Sequence, residues 1–274
     1  MAITTWVNGL SSSTGPNYVG YKPTWTSGTV LWVDSQTGDD DNDGLLEELP
    51  KATLASAVDD AGTDNADTII IKSGHQETLS SSQSFSSKAG LTIVGLGTGN
   101  NRPRFTCSGT VDMWAVNASN IWIENIYFAA STGEALSRLK IVEPGVTVKD
   151  CYFQCGTQDT TDTVFLGPDS TNCRLTGCTF VSTGTTSAQP GRAVFCNEAI
   201  LGIVMEDCTF DGGSGGWSDN AVSIVSGEST PAKFFRFINT VFTGYSDMGI
   251  GGEGAEGSIV GVVQSGTGSV TWVP

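Results

Sequence analysis

The phrase IWIENIYF (residues 121–128) returns in altered form four times further along the chain. The later copies are VTVKDCYF (146–153), CRLTGCTF (173–180), IVMEDCTF (203–210) and FRFINTVF (235–242), and successive copies begin 25 to 32 residues apart. The first and third places hold apolar residues or cysteine, and the eighth is always phenylalanine. A constant pattern at such a period is typical of a protein built from stacked repeats.

Each copy reads as two short strands that meet at a corner. Apolar residues at alternate places indicate a strand with one buried face. The side chain at the sixth place and the phenylalanine at the eighth then predict a second strand on the same core. Between the two strands, the fifth place always holds a residue that suits a left-handed backbone: Asn125, Asp150, Gly177, Asp207 or Asn239.

A third strand is predicted just before each copy, at residues 113–116, 139–142, 163–166, 193–196 and 221–225. Three strands in roughly 25 to 30 residues describe one coil of a right-handed parallel β-helix, with length differences expelled into loops. A propeller blade needs longer intervals, and the β-branched and aromatic residues disfavour a helical repeat. The chain resembles the pectate-lyase-like superfamily, in which an Asn-rich corner separates the second and third strands. The predicted fold class is therefore all-β.

The chain divides into an arm and a repeat body. Residues 1–29 contain no copy of the phrase, whereas residues 30–274 are predicted to form the β-helix, with an N-terminal cap at about 30–66 and an irregular C-terminal coil at about 243–274. The arm carries Trp6, Tyr18, Tyr21 and Trp25 among Ser, Thr, Gly and Pro. Either the arm contacts a partner or a neighbouring subunit, since aromatic residues are enriched at interfaces, or it folds back on the chain's own flank.

The start of the body resembles the opening of many right-handed β-helix proteins, among them secreted polysaccharide-acting enzymes and phage spike-like proteins. In those proteins a V-D-x-x-x-G-x-D-x-x-D-G stretch precedes a P-x-x-T-[LI]-x-x-A-[VI] helix. The helix is predicted to cap the first coil and to cover an edge that would otherwise invite strand addition. The matching residues are Val33, Asp34, Gly38, Asp43 and Gly44, followed by Pro50, Thr53, Leu54, Ala57 and Val58.

The acidic loop before this helix is a candidate calcium site. Asp39, Asp41, Asp43 and Gly44 fit the D-x-D-x-D-G start of a calcium loop. An EF-hand is excluded, because Pro50 stands where its bidentate Glu belongs. The alternative is an acidic turn without a metal, so calcium is the one cofactor considered.

The chain carries 13 basic and 29 acidic residues, which gives a net charge of −16. This charge disfavours nucleic acid as a partner, because phosphate binding requires Lys and Arg. It also repels an acidic polysaccharide unless calcium or a local basic groove intervenes. No apolar run is long enough to predict a membrane span, and the N-terminus lacks the basic and apolar regions of a signal peptide.

Seven cysteines and one histidine are the remaining reactive side chains. Cys151, Cys178 and Cys208 fill the sixth place in consecutive copies, which predicts a ladder of buried free thiols. No CxxC pair or Cys/His cluster indicates zinc. His75 follows Gly74 in a predicted turn and is expected at the surface.

No catalytic residue is assigned from the sequence. The resemblance implies that lyases of this superfamily project calcium-binding carboxylates and a Lys or Arg base from neighbouring coils on one face, and that hydrolases use a spaced pair of carboxylates. Two of the nearest candidates already fill the corner place, and no carboxylate pair repeats on adjacent coils. Trp217 is the residue considered for stacking on a sugar. The nearest catalytic candidates are Glu124, Asp150, Glu206 and Asp207, with Lys149 or Arg174 as base.

The predicted function is a non-enzymatic structural protein of a tailed-phage virion. The prediction is a homotrimeric capsid decoration or cement protein, made in the host cytoplasm, whose arm binds the major capsid protein on the shell. The missing signal peptide, the odd number of cysteines, the aromatic arm and the lack of a carboxylate constellation favour this interpretation. The alternative is a tail spike or secreted β-helix protein that binds or cleaves a polysaccharide, as an adhesin, a lyase or a hydrolase.

Overall fold

The computed structural model describes residues 28–130, 135–156, 162–185, 187–196, 201–218, 220–225, 233–244, 248–251, 256–265 and 270–272. Within these residues the chain forms 25 strands, an α-helix and a short 3-10 helix. The strands make three parallel sheets around one core, so the predicted right-handed parallel β-helix is confirmed. No helix in this part of the chain is long and apolar enough to cross a membrane.

Each sheet contains one strand from every coil, except that the first coil contributes only one strand, to sheet 1. Sheet 1 contains β1 (Val30–Val33), β2 (Thr68–Ile71), β5 (Thr92–Gly95), β8 (Trp122–Glu124), β11 (Thr147–Lys149), β14 (Arg174–Thr176), β17 (Val204–Glu206), β20 (Lys233–Ile238) and β23 (Glu256–Val260). Sheet 2 contains β3 (Gln76–Leu79), β6 (Arg104–Cys107), β9 (Tyr127–Phe128), β12 (Tyr152–Cys155), β15 (Thr179–Ser182), β18 (Thr209–Asp211), β21 (Val241–Thr243) and β24 (Val263–Ser265). Sheet 3 contains β4 (Gln83–Ser84), β7 (Asp112–Val116), β10 (Ser137–Ile141), β13 (Asp162–Leu166), β16 (Arg192–Cys196), β19 (Val222–Val225), β22 (Met248–Gly251) and β25 (Val270–Trp272).

The phenylalanines at the eighth place form a continuous stack inside sheet 2. Neighbouring ring centroids lie 4.7 to 4.9 Å apart, with interplanar angles of 3 to 11°. This spacing equals that of adjacent strands, about 4.8 Å, because each ring lies directly above its equivalent in the previous coil. The sequence repeat therefore arises because equivalent core residues stack on one another in successive coils. The five rings are Phe128, Phe153, Phe180, Phe210 and Phe242.

The corner between sheets 1 and 2 has the predicted left-handed backbone in all five copies. The φ angles are 59° at Asn125, 51° at Asp150, 64° at Gly177, 54° at Asp207 and 49° at Asn239. Gly177 has a second reason to lack a side chain, since a Cβ there would lie 2.3 Å from Asp150 Oδ1. Steric fit as well as φ therefore selects glycine at this one corner.

The predicted cap helix is α1 (Leu54–Asp60), whose Leu54, Ala57 and Val58 are buried. Thr53 caps its N-terminus by accepting a hydrogen bond from Ser56 N. Asp34, from the same motif, accepts hydrogen bonds from Gln36 N and Thr37 Oγ1. Burial opposes ionisation of Asp34, but these bonds and the Lys72 charge lower its pKa. The motif residues thus have structural roles in closing the first coil.

His75 is a buried residue and not the predicted surface residue, since its side chain is 0% exposed. Its Nδ1 accepts a hydrogen bond from Ser35 N at 2.9 Å, and its Nε2 lies 3.1 Å from Glu77 Oε2. Glu77 Oε2 also accepts from Leu54 N, at the start of α1. The acceptor role of Nδ1 places the proton on Nε2. This histidine therefore joins the acidic loop, the cap helix and the first coil.

All seven cysteines are free and buried. Cys151, Cys178 and Cys208 form the predicted column, and their thiols donate weak hydrogen bonds to backbone carbonyls of the coil before. Burial, followed by the neighbouring thiols, raises the pKa of Cys178 well above its usual value. Cys178 is therefore a protonated core residue, without the reactivity of a thiolate.

The two predicted ends of the chain have different outcomes. The arm at 1–29, apart from residues 28 and 29, lies outside the described residues together with Trp6, Tyr18, Tyr21 and Trp25. In the predicted C-terminal coil, β22, β23, β24 and β25 extend the three sheets of the same chain.

Candidate functional site

The outer face of sheet 3 carries two acid–base pairs on consecutive coils. Asp112, Ser137, Asp162 and Arg192 occupy equivalent places in β7, β10, β13 and β16. Lys140 Nζ lies 3.0 Å from Asp112 Oδ2, and Ser137 Oγ donates to Asp112 Oδ1 at 2.8 Å. Carboxylates and cations thus alternate along the axis of the solenoid.

The second pair is bidentate. Arg192 Nε lies 2.6 Å from Asp162 Oδ1, and Arg192 Nη2 lies 3.4 Å from Asp162 Oδ2. Such fork-to-fork geometry fixes the orientation of both side chains. The guanidinium of Arg192 is therefore held in one place on the face.

Two aromatic rings lie beside these pairs. Phe165 and Phe195 stand in the same column as Lys140, with centroids 6.0 Å apart. Arg192 Cζ is 3.4 Å from the centroid of Phe195, whereas Lys140 Nζ is 5.9 Å from that of Phe165. Phe195 is only 9% exposed, so Phe165 offers the more accessible ring. Rings beside hydrogen-bonding charges are the usual composition of a ligand-binding surface.

These residues escaped sequence analysis because the third strands were predicted to begin too late. The structure starts β7, β10, β13 and β16 one or two residues earlier, at the outward-facing Asp112, Ser137, Asp162 and Arg192. The next two residues of each strand are both buried, which breaks simple alternation. The available signal was a polar residue at the start of each third strand.

The aspartates of this face do not fit a calcium ion. They belong to β7 and β13, which are separated by β10, so their backbones lie about 9.6 Å apart at the usual strand spacing. Among the residues that the structure describes, no three His, Cys, Asp or Glu side chains are grouped to hold a metal.

Three of the catalytic candidates named from the sequence meet on sheet 1. Lys149 Nζ lies 2.7 Å from Glu124 Oε1 and 3.0 Å from Asp150 Oδ2, and Trp122 Nε1 donates to Glu124 Oε2 at 2.9 Å. Burial opposes the charge of Lys149, but the two carboxylates outweigh it and raise its pKa. Lys149 is thus held as an ammonium ion, which argues against its predicted role as a base.

The other candidates lie on later coils. Arg174 Nη1 pairs with Glu206 Oε2 at 2.9 Å across β14 and β17. Asp207 sits at the corner, where its Oδ1 accepts from Asn239 Nδ2 at 3.2 Å. Arg174 and Glu206 thus form an ion pair between neighbouring strands. This pair and Asp207 are separate from the cluster of Glu124, Lys149 and Asp150.

The candidate calcium residues lie in the loop before α1. Asp39 Oδ1 accepts from Asp41 N, and Asp43 Oδ1 accepts from Leu45 N, both at 3.0 Å. The loop thus uses two of these carboxylates to hold its own backbone. Calcium binding here stays a prediction.

Trp217 is not exposed, as a residue that stacks on a sugar has to be. Its side chain is 5% exposed and belongs to the hydrophobic core. A buried indole offers no open face for stacking, because its surface is already covered by apolar neighbours.

Comparison with known proteins supports the fold class. The fold is similar to that of a solved structure named rhamnogalacturonan lyase, at a TM-score of 0.53 and 15% identity, over 88% of this chain and 67% of that chain. An alginate lyase from a Paenibacillus species matches over 80% of this chain and 95% of that chain at 14% identity, but its TM-score of 0.34 supports no argument. No protein-family model and no curated protein matches the chain.

These comparisons contradict the predicted non-enzymatic capsid protein. The solved structure that shares the fold bears the name of a polysaccharide lyase, which agrees with the polysaccharide alternative and is not the name of a virion protein. The prediction was wrong because it did not consider the carboxylates and cations that pair on the outer face of sheet 3. Nothing tests self-association as a homotrimer, which stays a prediction.

Proposed function

We propose that this protein is a polysaccharide-cleaving enzyme of the lyase type, which binds an acidic polysaccharide lengthwise on the outer face of sheet 3. The observation that carries the proposal is the alternation of Asp112, Lys140, Asp162 and Arg192 over four coils, with Phe165 beside them. The shared scaffold with a protein named rhamnogalacturonan lyase agrees with it. An extended sugar chain and a stack of coils both repeat along one line, which suits binding parallel to the axis.

Arg192 is the proposed binding group for the sugar carboxylate. Its guanidinium is already aligned by Asp162, so a uronate could take over one edge of the fork. The chain's charge of −16 repels a polyanion, and the two ion pairs of this face, Asp112–Lys140 and Asp162–Arg192, carry no net charge. Binding therefore depends on exchange of an internal carboxylate for that of the substrate.

Lys140 is the proposed base for elimination. With the sugar carboxylate paired to Arg192, the neutral amine of Lys140 would remove the proton on C5. The electron pair forms the C4–C5 double bond, the glycosidic C4–O bond breaks, and the leaving oxygen takes a proton from water.

A second candidate function is polysaccharide binding without cleavage. The Lys140–Asp112 distance of 3.0 Å favours it, since the amine is already engaged in an ion pair. Under this reading the same face binds the polymer and leaves it intact.

The experiment measures binding and cleavage separately on rhamnogalacturonan, polygalacturonate and alginate. Affinity electrophoresis reports binding, and the ultraviolet absorbance of the unsaturated product reports elimination. Arg192→Ala is expected to weaken binding at least tenfold, whereas Asp162→Asn should tighten it by releasing the guanidinium. Lys140→Met should abolish cleavage while the polymer still binds.

Three results decide between the candidates. Binding with product formation supports the lyase, and binding without product supports the binder. If no acidic polymer binds, or if Arg192→Ala binds as wild type does, the proposed site is wrong. Thr147→Ala on sheet 1 is the matched control, since it also removes a half-buried outward polar side chain from a neighbouring coil.

A further inference from the structure

The outer face of sheet 2 carries a pair of tyrosines that the proposed function does not use. Tyr127 and Tyr152 occupy equivalent places in β9 and β12, with ring centroids 4.8 Å apart at an interplanar angle of 76°. Both side chains are half-buried. Arg104, in the same column one coil earlier, lies 5.1 Å from the Tyr127 ring centroid.

The column drops in height immediately after Tyr152. The next two places hold Thr179 and Thr209, whose side chains are much smaller than a phenol ring. In the neighbouring column, Gln154 is followed by Val181 and then Asp211. We call this depression the Tyr152 step. Tyr152 and Gln154 form its wall, Thr179 and Val181 form its floor, and Thr209 and Asp211 lie at the far end of this floor, which we call the rim.

The size of the step follows from the strand spacing. Wall and rim belong to β12 and β18, which are separated by β15, so their backbones lie about 9.6 Å apart. The intervening floor is one coil wide. After allowance for the side chains on either side, that gap is comparable to one sugar ring.

The wall is held in place by its own hydrogen bonds. Tyr127 Oη donates to Gln154 Oε1 at 2.9 Å, and Ala130 N donates to the same oxygen at 3.4 Å. These bonds occupy the amide oxygen and leave its Nε2 without a partner among the described residues. At the rim, Asp211 Oδ1 accepts from Gly213 N at 2.9 Å. The step therefore offers one fixed amide donor and the second oxygen of one carboxylate.

The Tyr152 hydroxyl adds a third polar group. Burial, followed by Tyr127, Cys155 and Asp211, raises the pKa of Tyr152. The phenol therefore stays protonated over the physiological range and can donate a hydrogen bond to a ligand.

We propose that the Tyr152 step is a second carbohydrate-binding site, which takes one ring of a neutral polysaccharide. An aromatic wall packs on the C–H face of a sugar, while an amide donor, a carboxylate acceptor and threonine hydroxyls meet its hydroxyl groups. A neutral sugar suits the step, because Asp211 is the one charged group in the set that defines it. The site lies on a different sheet from Arg192 and would anchor the protein to a polymer that it does not cleave.

The test is affinity electrophoresis in gels that contain galactomannan, xyloglucan or hydroxyethylcellulose. None of these has a uronate for elimination, so the result is independent of the function proposed for sheet 3. At least one polymer is expected to retard the wild-type chain. Tyr152→Ala should raise the apparent Kd at least tenfold, whereas Tyr152→Phe should stay within about threefold because it keeps the ring. Arg192→Ala should bind as wild type does.

Thr179→Trp gives a second way to test the step. It leaves the tyrosine pair intact and fills the floor with an indole, so it should abolish retardation even if Tyr152→Ala folds poorly. Far-ultraviolet circular dichroism and the melting temperature establish that each variant is folded. The proposal is overturned if no polymer retards the wild type, or if folded Thr179→Trp is retarded as strongly as the wild type.

Discussion

The inner column of sheet 2 and the outer columns of sheet 3 follow opposite rules. Inside, the same residue recurs on five coils, from Phe128 to Phe242, and the rings stack nearly parallel. Outside, Asp112, Ser137, Asp162 and Arg192 never repeat from one coil to the next. Recurrence has a packing cause, because each coil must fill the same cross-section. Residues that do not recur are free of that demand, so ligand contacts are best sought among them.

Replacing one phenylalanine of the inner column and one of the outer columns should show the largest difference between them. Phe180→Ala is expected to lower the free energy of unfolding by about 3–5 kcal/mol, because it leaves a cavity between two stacked rings. Phe165→Ala should cost less than about 1.5 kcal/mol but weaken polysaccharide binding several-fold. Urea denaturation and affinity electrophoresis measure the two effects. Equal losses of stability would remove the distinction between inner and outer columns.

The corner provides a smaller test of the inner rule. Gly177→Ala should destabilise the protein by about 1–3 kcal/mol, because it adds a Cβ at a φ of 64° and 2.3 Å from Asp150 Oδ1. Gly167→Ala is the matched control, since Gly167 does not have a positive φ and its nearest neighbour to an added Cβ is the Val142 side chain at 3.0 Å. Thermal unfolding distinguishes the two variants. A Gly177→Ala protein as stable as wild type would show that the corner can shift.

The charged cluster of sheet 1 should contribute to stability and not to activity. The raised pKa of Lys149 means that its contribution is complete below the unfolded value of 10.5 and is lost as pH rises through the folded pKa. Lys149→Met is therefore expected to lose about 1 kcal/mol at pH 8 and to remove part of the decline above pH 10.5. Urea denaturation across this range is the measurement. A loss of cleavage in Lys149→Met would transfer the active site to sheet 1.

Much of the candidate site could not be predicted from the sequence, because its contacts join residues of different coils. His75 shows the same effect. Sequence patterns predicted the coil, the corner and the stacked core, since those depend on residues that recur in register. His75 and Glu77 break the pattern of sheet 2 by pointing toward the cap, where Ser35 and Leu54 supply their partners. Lys140 and Arg192 likewise form ion pairs with residues that lie 28 and 30 positions earlier in the chain. Such pairings depend on which coil lies above which.

The sequence by itself determined that this chain is a parallel β-helix. Each coil packs on the one before it, so similar core residues recur at the same places in every copy of the phrase. The sequence also determined where the chain turns, through Asn125, Gly177 and their equivalents. Only the tertiary structure decided which side chains share an outer face. In the sheet 3 strands Asp112 and Arg192 remain partly exposed, whereas Trp114 is buried in the core. Because the loops between coils vary in length, that alignment arises from packing and could not be read from the period.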